Sequence, residues 1–175
     1  MTGIKKKNIP HLVVDGHNML HAVQDWKRLF LEDPSAARER LLETLRVLAD
    51  YQEMFLTVVF DGSGASLTSE SLNDNGRFVC LYAPADLTAD GVIEQCIASA
   101  RAPETITVAT RDHMIGEVAR AAGAFVIDEV GMLAWVDRVT SEVSRKIALQ
   151  KTAGPSTISP FDALDGLFPR EKDRE

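Results

Sequence analysis

Four carboxylates occupy the same kind of place in this chain: Asp15 in LVVDGHN (12 to 18), Asp61 in TVVFDGSG (57 to 64), Asp90 in LTADGVIE (87 to 94) and Asp112 in TVATRDH (107 to 113). Each sits at or just past the end of an apolar run, in a turn marked by Gly or Thr. The strands of an open parallel sheet point their carboxyl ends at one crevice, so residues distant in sequence can meet there. The four are therefore candidates for one acidic cluster. Carboxylates about 4 Å apart repel by several kcal/mol at an effective dielectric near 20, and a hard divalent cation relieves that cost. Oxygen donors without Cys or clustered His select Mg2+ or Mn2+ over zinc. Asp90 and Glu94, four apart on a helix, project from one face and add a further ligand. An ion held by few carboxylates keeps open positions. It can then orient a phosphodiester, activate a water and neutralise the leaving oxygen. Hydrolysis of a nucleic-acid backbone is the chemistry this set would do. Taken singly, each Asp reads better as a helix cap or turn residue; four in one topological role favour the cluster.

The neighbours qualify this picture. The Asn18 amide either holds the D-G-x-N turn or contacts a phosphate. Thr88 and Thr110 each precede a carboxylate by two residues, where a hydroxyl caps the following helix or donates to an acidic ligand. Arg111 either forms an exposed salt bridge or grips the scissile phosphate. His17 and His21 are an i, i+4 pair, but no further His or Cys is spaced to complete a zinc site with them. His113 reads as a solvent-facing helix residue, and Trp26 and Trp135 as core.

The elements that must position these residues alternate regularly. HLVVD (11 to 15), FLTVVFD (55 to 61), RFVCLYA (77 to 83), TITVAT (105 to 110) and AFVID (124 to 128) read as five buried strands. Between them lie helical patterns at 19 to 31, from Ser35 to about Met54, from near Thr88 to Arg101, and from Asp112 to a stop at Gly123. Asp33-Pro34-Ser35 supplies a break and a cap. A long helix over about 130 to 148 should turn Leu133, Val136, Val139, Val143 and Ile147 inward, and residues 62 to 76 read as a surface loop. Strand and helix in alternation imply a parallel sheet between helical layers. One domain over 11 to 150 is expected, preceded by an extension (1 to 10) and followed by a weakly ordered tail (151 to 175).

Composition fits that reading. The 175 residues are 45% hydrophobic and 26% charged, as in a globular protein with a sizeable core. No window is apolar enough for a membrane span and the start lacks a secretory h-region, so a cytoplasmic location without membrane contact is expected. Cys80 and Cys96 read as buried free thiols. The net charge of −7 argues against sequence-blind clinging to a polyanion, yet a carboxylate cluster is part of that charge and a bound cation reverses its local sign. The basic groups, Lys5 to Lys7, Arg38 with Arg40 and Arg46, and Arg138 with Arg145 and Lys146, read first as solvated faces.

Together, VVDGHN, the helix bearing Trp26, ARERLLETLRVLADYQ, VVFDGSG, LTADGVIE, VATRDH and GAFVIDEVGML resemble the bacterial YacP-type NYN domains, a branch of the PIN-like ribonucleases, from about His11 to Glu142. The resemblance implies a three-layer α/β/α PIN-like fold with a five-stranded parallel sheet of order 3-2-1-4-5. It also implies a magnesium-dependent endoribonuclease, in some members directed at messenger RNA on the ribosome. Matched to the family's motifs, Asp15, Asp90 and Asp112 fall on its acidic catalytic ligands. Asp61 and Glu94 stand as supporting metal ligands, Asn18 matches the family's asparagine, and Thr88, Thr110 and Arg111 lie on the substrate side. His17 stands where the family usually has Tyr, and Arg111 where it usually has Ser. That arginine would partly neutralise the ligand set or narrow its mouth.

A non-catalytic RNA- or ribosome-binding module with the same fold is the alternative. Two other Asp-dependent classes fit less well. A haloacid-dehalogenase-type phosphatase needs a second Asp where His17 stands, and a phospho-receiver needs a Lys after a late strand.

Overall fold

The computed structural model describes residues 8 to 152. The expected tail beyond Thr152, and all but the end of the N-terminal extension, therefore lie outside the described residues. The first compact unit runs to Ser141; the second begins at Glu142, and its described part is the remainder of the last helix.

In chain order the elements are β1 (His11–Asp15), α1 (Gly16–Ala22), α2 (Gln24–Glu32), α3 (Pro34–Tyr51), β2 (Phe55–Asp61), β3 (Thr68–Ser71), β4 (Phe78–Ala83), α4 (Ala89–Ala98), β5 (Ile106–Ala109), α5 (His113–Ala122), β6 (Phe125–Ile127) and α6 (Glu129–Thr152). The sheet is six-stranded and mixed, in the order β3-β4-β2-β1-β5-β6. The expected five-stranded parallel sheet is corrected in count and in edge. β3 forms inside the stretch read as a loop and pairs antiparallel with β4, Ser69 opposite Leu81. All four β3 residues are exposed, so main-chain pairing rather than burial holds the strand. The other five strands are parallel and keep the relative order expected of them.

The interior strands are apolar runs because both their faces are covered. Alternation along β1 and β2 sends Val13 and Val59 into a core with Val92, Ile93 and Ile97 of α4 and Ile115 and Ala119 of α5. Leu12, Val14, Val58 and Phe60 take the opposite face, the side of buried Met19, Leu20, Leu41, Leu45 and Leu48 in α1 and α3. Three layers result.

Two helical expectations change. The stretch 19 to 31 is part of two helices, because β-branched Val23 adopts an extended backbone (φ −90°, ψ 119°) and the chain restarts at Gln24. In α6 the buried positions are Met132 and Val139, whereas Ile147 is exposed. Other signals act as read: Asp33 caps α3 through the Ser35 and Ala36 amides with Pro34 in the first turn, and Gly123 closes α5 at φ 94°.

Candidate active site

β1 leads to β2 on one side of the sheet and lies beside β5 on the other, so the order of connection reverses between β1 and β5. That switch point opens a crevice at the carboxyl ends of the strands. Asp15 closes β1 there and is only 3% exposed. Both its oxygens are engaged: Oδ1 accepts the Asn18 amide at 3.1 Å and Oδ2 the Thr110 hydroxyl at 3.0 Å. Burial nevertheless pushes its pKa up to about 6; the two hydrogen bonds oppose this shift, and the nearby charge of Asp90 adds to it.

Asp90 stands in the first turn of α4, which Thr88 caps by accepting the Gly91 amide at 3.3 Å. Although Asp90 is exposed, its pKa is also raised, first by partial loss of water and then by Asp112, Asp61 and Glu94. Asp90 is thus in electrostatic reach of the other four acids. Asp112 caps α5, accepting the Met114 and Ile115 amides through Oδ1 at 2.7 and 3.2 Å. Asp61 accepts the Ala89 amide at 2.9 Å, tying β2 to the start of α4. Cap and cluster are thus compatible roles for these residues.

The flanking residues mostly hold the crevice together. Thr110 is buried, and its hydroxyl both donates to Asp15 and accepts the Asp112 amide at 3.0 Å, so it faces these two residues and not the solvent. The Asn18 amide oxygen accepts the Arg111 backbone N–H at 2.7 Å, which is the turn-holding alternative. The Arg111 guanidinium is engaged by Glu129, 3.5 Å distant, and His113 pairs with Glu117 at 3.8 Å. Glu129 was not singled out from sequence; it opens the helix after β6 as Asp90 and Asp112 open theirs, and that position was its only signal. His17 and His21 lie 4.5 Å apart with their rings against Phe30, an aromatic cluster.

Among the described residues, no three His, Cys, Asp or Glu side chains form a ready metal cage. The donor set still fits magnesium, which takes oxygen ligands, keeps several waters and is commonly bound by one or two carboxylates plus phosphate oxygens. Asp15 and Asp90 have pKa values raised first by burial and further by neighbouring carboxylates, and a bound cation would relieve both costs.

A three-layer α/β domain with carboxylates gathered at its switch point is the architecture of an NYN domain, a group whose members are in general nucleases acting on RNA. The sequence matches the YacP-like NYN domain over residues 12–163, and the chain belongs to that family. Among solved structures it is similar to Rae1 (YacP) from Bacillus subtilis, with 27% identity and a TM-score of 0.65 over 83% of this chain and 86% of that one. A Trp-to-Leu variant of the same Bacillus subtilis protein superposes with a TM-score of 0.67 at 23% identity, over 85% of this chain and 87% of that one. No curated protein matches. No helix among the described residues is long and apolar enough to cross a membrane.

Proposed function

We propose that this chain is a Mg2+-dependent endoribonuclease (Mn2+ serving equally) that hydrolyses RNA phosphodiester bonds, with messenger RNA at the ribosome as its setting. The observation that carries this reading is the carboxylate crowding at the switch point, where Asp90 adds to the cost of ionising buried Asp15 and is itself raised by lost water and by Asp112, Asp61 and Glu94. Asp15, Asp90 and Asp112 would hold the ion, with Asp61 and Glu94 supporting them. When bound, the ion supplies charge neutralisation on the phosphodiester and a water of lowered pKa for in-line attack. The protein contributes position. Thr110 and the Asn18 backbone amide fix both oxygens of Asp15, so this carboxylate would meet the ion without reorganising. Asp90 and Glu94 share one face of α4 and extend the acidic wall of the crevice.

The test incubates single-stranded and structured RNA with magnesium, with and without chelator, alongside Asp90→Asn. Cleavage confined to the metal-containing wild-type arm is expected, and equal cleavage in all arms would sink the proposal. RNA binding with no cleavage at millimolar magnesium would instead select the non-catalytic RNA-binding module.

A further inference from the structure

A polar pocket of about 460 Å³ adjoins the acidic cluster through Asp61 and is otherwise built from different residues. Arg38 of α3, the turn from Gly62 to Gly64 after β2, Ser66 and Tyr82 of β4 line it. The Arg38 guanidinium lies over the Phe60 ring, 5.6 Å from its centroid. Phe60 is 1% exposed, wedged against Gly16 and stacked on Tyr82 with centroids 6.0 Å apart. The cation is thus fixed on a rigid aromatic floor. Its Nε is buried without an acceptor, and among the described residues Arg38 makes neither a hydrogen bond nor an ion pair. A buried donor left unmatched is costly, more so when charged, so the site is short of one anionic acceptor.

The two nearby acids do not supply it. Asp61 gives Oδ1 to the Ala89 amide, and Glu70 acts on Tyr82 only as a nearby charge. The rest of the lining offers hydroxyl donors from Ser63, Ser66 and Thr68. At Gly62 a Cβ would collide with the Ala83 carbonyl oxygen, so the turn lies close against β4, and the Ala85 amide holds the Gly64 carbonyl at 2.8 Å. Burial and the Cys80 thiol push the Tyr82 phenol up to about 12, leaving a neutral hydroxyl near the cation. A planar guanidinium matches two oxygens of a phosphate, and serine hydroxyls add donors.

We propose that this pocket is a phosphate subsite that holds an internal backbone phosphate of the RNA strand beside the scissile linkage, with Arg38 as its anchoring cation. It deepens the endoribonuclease reading and rests on it for the identity of the strand.

Binding of a short single-stranded RNA is measured by fluorescence anisotropy over a salt series, with chelator present so that nothing is cut. Arg38→Ala should weaken binding about tenfold, evenly across sequences, and lower the slope of log K against log salt by about one. Arg38→Lys should keep the slope and lose part of the affinity, because a point charge lacks the fork. Ser63→Asp, at an exposed position that leaves the core untouched, should weaken binding comparably even if Arg38→Ala folds poorly. Unchanged affinity and slope in folded Arg38→Ala and Ser63→Asp would overturn the subsite. A loss seen only with 5′-phosphorylated RNA would overturn its assignment to an internal phosphate. Arg38-dependent binding without cleavage on adding magnesium leaves the subsite standing and removes the nuclease reading. Cleavage whose KM ignores Arg38 does the reverse, and a wild-type protein that binds no RNA ends both.

Discussion

The Thr110 hydroxyl donates to Asp15 Oδ2 at 3.0 Å across 95 residues of sequence, and Thr110 Oγ1 in turn accepts the Asp112 amide at 3.0 Å. One hydroxyl therefore ties the end of β1 to the start of α5 and sets two of the proposed ligands relative to each other. Thr110→Val keeps the side chain's volume and removes both bonds, leaving a buried carboxylate oxygen short of a donor. A loss of about 1–3 kcal/mol is expected in chemical denaturation, with Thr110→Ser recovering most of it. A denaturation midpoint for Thr110→Val equal to wild type would show that the bridge does not hold the crevice.

Asp15 makes stability depend on pH in a definite direction. Its folded pKa, about 6, lies above the ordinary 3.8, so the folded state binds the proton more tightly than the unfolded chain. Its favourable contribution is fully present below about 3.8 and is lost as pH rises through about 6. A rise of roughly two units corresponds to on the order of 3 kcal/mol. Metal-free Asp15→Asn should then be more stable than wild type at neutral pH, with the gap closing in mild acid. Melting curves across that window check it; a variant less stable than wild type at neutral pH would contradict it.

Arg111 is bound to Glu129, whose side chain is 16% exposed and whose Oε2 is buried without a partner. Removing the guanidinium strands that carboxylate. Arg111→Ser is expected to lower stability by about 1–3 kcal/mol, and a further Glu129→Gln to restore much of it. RNA cleavage should change little, because the guanidinium is already engaged by Glu129. A large loss of cleavage with stability intact would instead put Arg111 on the substrate.

How far the sequence could be read follows from what each element rests on. HLVVD and FLTVVFD were legible as strands because both faces are buried, and the strand-end aspartates were legible once those strands were taken as parallel. β3 was hidden because TSES has no apolar alternation; it exists by pairing with β4, a long-range contact with no local signature. Val23 hid the break between α1 and α2, since apolar spacing continues through it while the backbone does not. The acids' positions were readable, but the division of their oxygens between caps and crevice was not. The attachment of Arg111 to Glu129 was equally hidden, depending on where α6 starts after β6.

Gly16 follows Asp15 directly, and a Cβ there would run into the ring of Phe60. Gly16→Ala should cost about 1–3 kcal/mol through overpacking, and it should also tilt the ring on which Arg38 rests. Gly16→Ala combined with Phe60→Leu, which vacates that space, should regain stability in thermal melts. Failure of the pair to improve on the single change would mean the ring is not the obstacle.

The antiparallel return of β3 along β4 also has an evolutionary reading. Residues 62 to 67 form an arch with one foot at the end of β2 and the other at the start of β3, so both abutments belong to the sheet. Lengthening such an arch adds little closure entropy, about 0.6 kcal/mol for each doubling. Insertions or deletions between these feet would reshape the mouth beside Arg38 without shifting a strand that bears an acid. Substrate preference in such a domain can then drift independently of its chemistry.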